Sequence, residues 1–263
     1  MCRWDDAMQT AKHELPRDLK EAEIHVLADL HLGDPNCDEK GITERIRRIA
    51  ETPNAYALLN GDLLNTATKT SVSDIYAETL TPMQQLKRAA YLLGPIKGKI
   101  LGGVLGNHEE RIVKADSIDL TDILARELGF PYCPEGLLLF IKLGEHNGKK
   151  NFRQITYSLY MTHGTGGGRT MGGKVNAVQR MAQVVDADVY CMGHVHTPSV
   201  TRESFYRTDI ATCSAKLVER LYVITGAAMD YGGYAQRQIY TPASKISPVI
   251  RLRGDRKQAD AVI

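Results

Sequence analysis

At 263 residues and 43% hydrophobic composition the chain can bury a full core, and an α/β protein of this length commonly forms one domain. With 33 Lys and Arg against 31 Asp and Glu its net charge is +2, so charge alone favours neither a nucleic-acid nor a membrane partner. Cys2, Cys37, Cys133, Cys191 and Cys213 lack CxxC spacing, no secretory apolar region follows Met1, and no run reaches membrane-span length. A soluble, cytoplasmic protein with free thiols is expected.

Residues 1–22 are polar, show no strand pattern and read as an N-terminal extension anchored by Trp4, while residues 23–263 read as one domain without repeats or linkers. The first short apolar run, 24–28, predicts a buried strand and leads into Asp29-Leu30-His31. His25 lies inside that run and reads as a core residue. A helix follows, with Ile42, Ile46, Ile49 and Ala50 recurring at i, i+4, i+7 and i+8; its Arg45, Arg47 and Arg48 read as a solvated face. The run 55–59 ends in Asn60-Gly61-Asp62. A helical stretch is predicted over 73–93, with Leu86, Ala89, Ala90 and Leu93 as its stripe and Gly94-Pro95 as its stop. The run 100–105 then leads into Gly106-Asn107-His108-Glu109, where Glu109 either orients His108 or caps a following turn. These strand–helix–strand units imply right-handed crossovers and a parallel start to the sheet.

A helix near 118–128 presents Leu120, Ile123, Leu124 and Leu128 on one side and ends at Gly129. The texture then turns to β. Strands at 137–143 and 152–161 flank Glu145-His146-Asn147-Gly148, a hairpin pattern because Asn-Gly accommodates positive φ. The second of them leads into Thr162-His163-Gly164, and the run 187–192 into Gly193-His194-Val195-His196. Further strands are expected near 198–206, 218–225 and 247–252. His13 and His146 have no ligand-like neighbours and read as solvated.

Between these elements Gly168, Gly173 and Lys174 fit GxxxxGK, but Val175 stands where a P-loop needs Ser or Thr, and a strand-end His precedes the loop. A nucleotide-cradling loop is therefore rejected, and GxGxxG fails because Arg169 replaces its last Gly. The preferred reading is a mobile or close-approach loop that brings Arg169 and Lys174 to phosphate oxygens; the plainer alternative is a flexible loop that opens a helix with Val175, Val178 and Ala182 on its buried face.

Any one strand ending in Asp, Asn or His is usually a capped turn; five in one chain suggest a converging set. Asp29/His31 and His194/His196 are i, i+2 pairs, which on a strand point the same way. The set Asp29-x-His31, Gly61-Asp62, Gly106-Asn107-His108-Glu109, His163 and Gly193-His194-x-His196, in that order, resembles the calcineurin-like metallophosphoesterases. The resemblance covers about residues 23–196.

It implies a two-sheet β sandwich flanked by helices, a four-layer α/β/β/α fold, as one metallophosphoesterase domain over 23–263. It also implies two divalent metal ions, one held by Asp29, His31 and His196, the other by Asn107, His163 and His194, with Asp62 bridging. Oxygen and imidazole ligands without thiolate suit Mn²⁺ first, then Fe, Zn²⁺ or Mg²⁺. The implied reaction is phosphoester hydrolysis, of a diester before a monoester, by attack of a hydroxide held between the metals. His108 is the expected general acid or donor to the transferring phosphate.

Substrate readings stay open. The Ala28-Asp29-Leu30-His31-Leu32-Gly33 opening is similar to that of SbcD-type DNA repair nucleases, so a DNA or RNA nuclease is the alternative enzyme. Leu105 stands where serine/threonine phosphatases carry Arg, which disfavours a protein phosphatase. Tyr231-Gly232-Gly233-Tyr234 offers base stacking and Arg251, Arg253, Arg256 and Lys257 offer phosphate contacts, against the plainer readings of a surface turn and a solvated tail. A metal-binding scaffold that docks partners is the alternative outside enzymes, and the complete ligand set disfavours it.

Overall fold

The structure is a computed structural model that describes residues 8–69, 71, 75–146, 153–166, 168, 170–232, 236, 241–242 and 244–263. Alternation along the strands decides how its layers stack. In β2 (Glu21–Leu27), Ala22, Ile24 and Val26 face one way and join a core that includes Leu139, Tyr157, Leu159, Val189 and Val223 of an opposing sheet. Leu27 faces the other way, into a core shared with Ile42, Ile46 and Ile49 of α1 (Glu39–Glu51) and with Leu86, Ala89 and Leu93 of α2 (Pro82–Leu93). A third core packs Tyr190 and Tyr222 under Val178 of α5 (Met171–Arg180) and Met181. Sheet faces that are apolar on both sides require cover on both sides, and four layers result.

One sheet has the order β11-β10-β2-β3-β4, formed with β3 (Ala55–Asn60), β4 (Ile100–Val104), β10 (Val249–Arg253) and β11 (Ala259–Val262). Its β2, β3 and β4 are parallel, as the strand–helix–strand units predict. The other sheet has the order β1-β5-β6-β7-β9-β8, formed by β1 (Thr10–Glu14), β5 (Leu137–His146), β6 (Arg153–Thr162), β7 (Val189–Met192), β8 (Ser199–Asp209) and β9 (Ser214–Ile224). β5 and β6 pair antiparallel as expected, though Asn147 and Gly148 lie outside the described residues. The architecture is the expected two-sheet sandwich between helices.

Several local expectations are corrected. The segment read as patternless supplies β1, which pairs in parallel with β5; its polar TAKHE sequence suits an exposed sheet edge. The helix expected from 73 begins at Pro82: Thr81 N–H donates to Gln84 Oε1 at 2.9 Å, and proline at the first helical position sacrifices no hydrogen bond. In α4 (Leu120–Leu128) Ile123 is exposed rather than packed. His13 is half-buried beside the Leu101 backbone rather than solvated. Lys257 pairs with Asp188, and Arg251 and Arg253 lie in β10 paired with Glu21 and Glu23, so this stretch is not a free basic tail. Trp4 lies outside the described residues, and among those described no helix is long and apolar enough to cross a membrane.

His25 is buried as expected, and burial followed by the nearby Arg48 and Arg45 charges pushes its pKa down to about 4. An unfolded chain protonates this residue near pH 6.5, so the stability linked to His25 is full above that pH and is lost as pH falls towards 4. Between pH 7 and 4 the parent should therefore lose on the order of 3 kcal/mol more unfolding free energy than His25→Gln. Urea melts of both proteins across this range check it; parallel losses would refute the assignment.

Candidate metal centre

Strands β2, β3, β4, β6 and β7 deliver their C-terminal ends to one edge of the sandwich. The chain leaves three of them through left-handed turns: φ is 51° at Asp29, 49° at His31, 50° at Asp62, 66° at His194 and 51° at His196. Each such residue carries roughly 1–2 kcal/mol of strain. Eight described non-glycine residues have positive φ, and these five are among them, so strain concentrates where the functional side chains stand. The i, i+2 pairs therefore do not share a direction because they lie on a strand. Both lie beyond strand ends, and backbone kinks swing them to a common point.

Backbone bonds lock the turns together. Asp29 N–H donates to the Gly61 carbonyl and His31 N–H to the Asp62 carbonyl, each at 3.0 Å. His194 N–H donates to Asp29 Oδ1 at 3.1 Å. Asp62 is buried; its Oδ1 accepts the His108 N–H at 2.8 Å from the first turn of α3 (Asn107–Asp116), leaving Oδ2 to face the centre. Glu109 is buried and accepts the N–H groups of Asp62 at 3.1 Å and Leu64 at 2.8 Å, and it also bonds its own backbone N–H in the first turn of α3, so it braces backbone rather than the His108 ring. Gly61, at φ 81°, and Gly106 let these segments touch, since a Cβ on Gly106 would lie 2.0 Å from Asp62 N and 2.2 Å from Asp62 Oδ1.

Seven side chains expected as ligands, together with His108, meet at this edge. His196 Nε2 lies 3.1 Å from Asp29 Oδ1 and 3.3 Å from His31 Nε2. Asp62 Oδ2 lies 3.1 Å from His163 Nε2 and 3.9 Å from His108 Nε2. Asn107 Oδ1 lies 3.1 Å from His163 Nε2 and 2.7 Å from His194 Nδ1. The groups Asp29–His31–His196 and Asp62–His163–His194 each bring ligand atoms within 4.8 Å, and a third, His31–Asp62–His108, overlaps both.

The donor set fits cations. His163 Nδ1–H donates to the Asn60 carbonyl at 2.8 Å, and His108 Nδ1–H to the Asn65 carbonyl at 2.9 Å. Of the two, the expected ligand His163 presents an Nε2 lone pair when neutral, aimed at the Asp62 carboxylate and the Asn107 amide oxygen, which are acceptors too. Converging lone pairs call for positive charge, and no thiolate is among them. The titration behaviour agrees. Burial alone lowers His163, yet the Asp62 carboxylate outweighs it and lifts the ring to about 10. His31, pushed down by burial and by His108 to about 3, stays neutral. Burial raises Asp62, but His163 outweighs it and holds the carboxyl well below its usual range.

The expected phosphate-contact residues fare differently. Lys174, in the first turn of α5, donates to Thr197 Oγ1, the residue that follows His196 in the chain. Arg169 lies outside the described residues. Of the apolar positions expected under this helix, Val178 is fully buried and Val175 and Ala182 are half-buried.

Sequence reasoning missed Asn65. Its carbonyl accepts from His108, its Oδ1 lies 3.3 Å from His31 Nδ1, and its amide donates to Glu78. Gln85, also missed, donates to Glu78 and accepts the Thr66 N–H at 2.9 Å, bracing the same loop. The one hint in the sequence is that Asn65 stands three positions beyond Asp62.

Residues 22–198 match the calcineurin-like phosphoesterase family. The chain belongs to this family. Among proteins of curated function none matches the sequence. Among solved structures it is similar to a protein described as a predicted phosphoesterase from Streptococcus pneumoniae TIGR4, at 15% identity over 93% of this chain and 90% of that one, TM-score 0.37. It is also similar to a Vps29 double mutant from Entamoeba histolytica, at 11% identity over 91% of this chain and 98% of that one, TM-score 0.41. The family's divalent-metal chemistry suits the three overlapping groups of Asp and His side chains at the strand ends.

Gly106→Ala should lower the melting temperature, because the new Cβ collides with Asp62 backbone and carboxylate. Gly98→Ala, with nothing within 4 Å of an added Cβ, should leave it unchanged or raise it. Equal melting of the two variants in a thermal scan would contradict the close approach.

Proposed function

We propose that the chain hydrolyses a small phosphodiester with two divalent ions, Mn²⁺ before Fe, Zn²⁺ or Mg²⁺, on one domain that takes in β1 as well as residues 23–263. The observation that carries this reading is the pair of ligand groups on either side of Asp62. Asp29, His31 and His196 would hold one ion, Asn107, His163 and His194 the other, with Asp62 between them. When bound, the ions supply an acidified water and neutralise charge on the phosphoryl oxygens.

The chain's own groups do the rest. Asp62, fixed through Oδ1 by the His108 amide and through its backbone N–H by Glu109, keeps Oδ2 directed at the centre. His108, tied through Nδ1 to the Asn65 carbonyl, turns Nε2 inward, where it holds a proton for the leaving oxygen. Burial lowers the His108 pKa below its usual value, and the neighbouring Asp62 carboxylate opposes that burial only in part. Lys174 and Arg169 bind the non-bridging phosphate oxygens. Asn65 sets the angle of both His31 and His108.

A small diester is preferred over DNA or RNA because the basic residues that suggested a nucleic-acid track are engaged. Arg253 lies 2.7 Å from Glu21 and Lys257 lies 3.0 Å from Asp188. The cytoplasm is the proposed setting.

Purified protein with Mn²⁺ should turn over bis-p-nitrophenyl phosphate faster than p-nitrophenyl phosphate and stop with EDTA. His108→Ala should keep both metal equivalents and lose at least about 10²-fold in kcat, the scale of a lost general acid. Parental turnover by His108→Ala, or loss of a metal equivalent from it, would remove His108 from this role. EDTA-insensitive turnover, or none with any metal, would remove the reaction.

A further inference from the structure

A second concentration of unpaired polar groups lies away from the metal centre, on the outer face of the five-stranded sheet where α1 covers β2. A cavity of about 500 Å³ opens there between the C-terminal half of α1 and segment 245–249. Two arginines of α1 line it with no carboxylate in ion-pair contact among the described residues, Asp38 acting on Arg45 only at longer range. Arg45 is half-buried and donates only to neutral oxygens, Ser247 Oγ at 3.2 Å and the Lys245 carbonyl at 2.8 Å. Arg48 is exposed and its side chain has neither a hydrogen bond nor an ion pair among these residues. The other charges at the cavity are mostly engaged. Arg47 pairs with Glu51 at 3.2 Å, and Lys245 with Asp38 at 2.9 Å and Asp230 at 2.6 Å; Glu44 stands exposed at the lining.

His25 forms the floor. It is buried, its Nε2 has no hydrogen-bond partner, and the nearest carboxylate oxygen, Glu23 Oε2, lies 3.7 Å away. A half-buried guanidinium bonded only to neutral oxygens is under-compensated, the exposed charge of Arg48 three residues further along α1 adds repulsion, and the orphaned buried ring nitrogen of His25 adds to the cost. One oxyanion relieves all three, since guanidinium groups match phosphate oxygens with paired N–H donors. The cavity volume falls in the range that accepts a phosphorylated small molecule.

We propose that this cavity is a second binding site, distinct from the metal centre, for a phosphate group, carried either as the free ion or on a small phosphomonoester. Arg45 and Arg48 hold its oxygens over His25. The site shares no side chain with the metal centre and does not depend on the reaction proposed above.

Calorimetric titration of the full-length chain with inorganic phosphate tests it, using Asp62→Asn to separate this cavity from the metal centre. One phosphate equivalent should survive Asp62→Asn. Its affinity should fall at least tenfold when Arg48→Gln, which removes only an unpartnered exposed side chain, is added, and should fall also with Arg45→Lys. AMP should bind and adenosine should not. AMP binding tenfold or more tighter than phosphate assigns a phosphomonoester, and equal affinities assign the free ion. Loss of all phosphate binding in an Asp62→Asn chain that still melts cooperatively, or indifference of the surviving equivalent to both arginine variants, overturns the proposal.

Discussion

Asp29 and Asp62 are carboxylates buried at one edge of the sandwich, and the fold around them is a response to that burial. A carboxylate taken out of water demands positive charge or several donors. Asp62 receives the His108 amide and faces His163; Asp29 receives the His194 amide and faces His196. What remains is a ring of imidazole nitrogens and oxygens with lone pairs pointing inward, an arrangement that suits divalent cations and that an apolar core does not.

Holding that arrangement strains the backbone. Left-handed conformations at Asp29, His31, Asp62, His194 and His196 are unfavourable one by one, and packing beneath them has to compensate. Apolar strands fully buried on both faces, running under the site and locked by bonds between adjacent turns, provide the rigid base. Gly61 and Gly106 remove the side chains that would hold the segments apart. Glu109 and Asn65 then fix Asp62 and His108 through backbone atoms.

The strands under the site were legible because each is a short, largely apolar run closed by a polar residue, and the family resemblance followed from those closures in order. The side-chain directions were legible for a mistaken reason: i, i+2 spacing on a strand stood in for left-handed kinks past its end. Asn65 escaped notice because half of its work is done by a carbonyl that every residue type carries. β1 and β11 escaped because short edge strands lack the apolar alternation of half-buried ones. The start of α2 was misplaced because helical periodicity extends upstream of Thr81 and Pro82, where capping chemistry rather than pattern sets the boundary. Roles for Arg169 and Lys174 were suggested by charge beside glycine, a pattern that fixes no position; Lys174 is engaged by Thr197.

The most direct measurement is an anomalous difference map from crystals of the full chain grown with Mn²⁺. Two peaks on either side of Asp62, one within bonding distance of Asp29, His31 and His196 and the other of Asn107, His163 and His194, are the predicted result. A single peak, or peaks remote from Asp62, would contradict it.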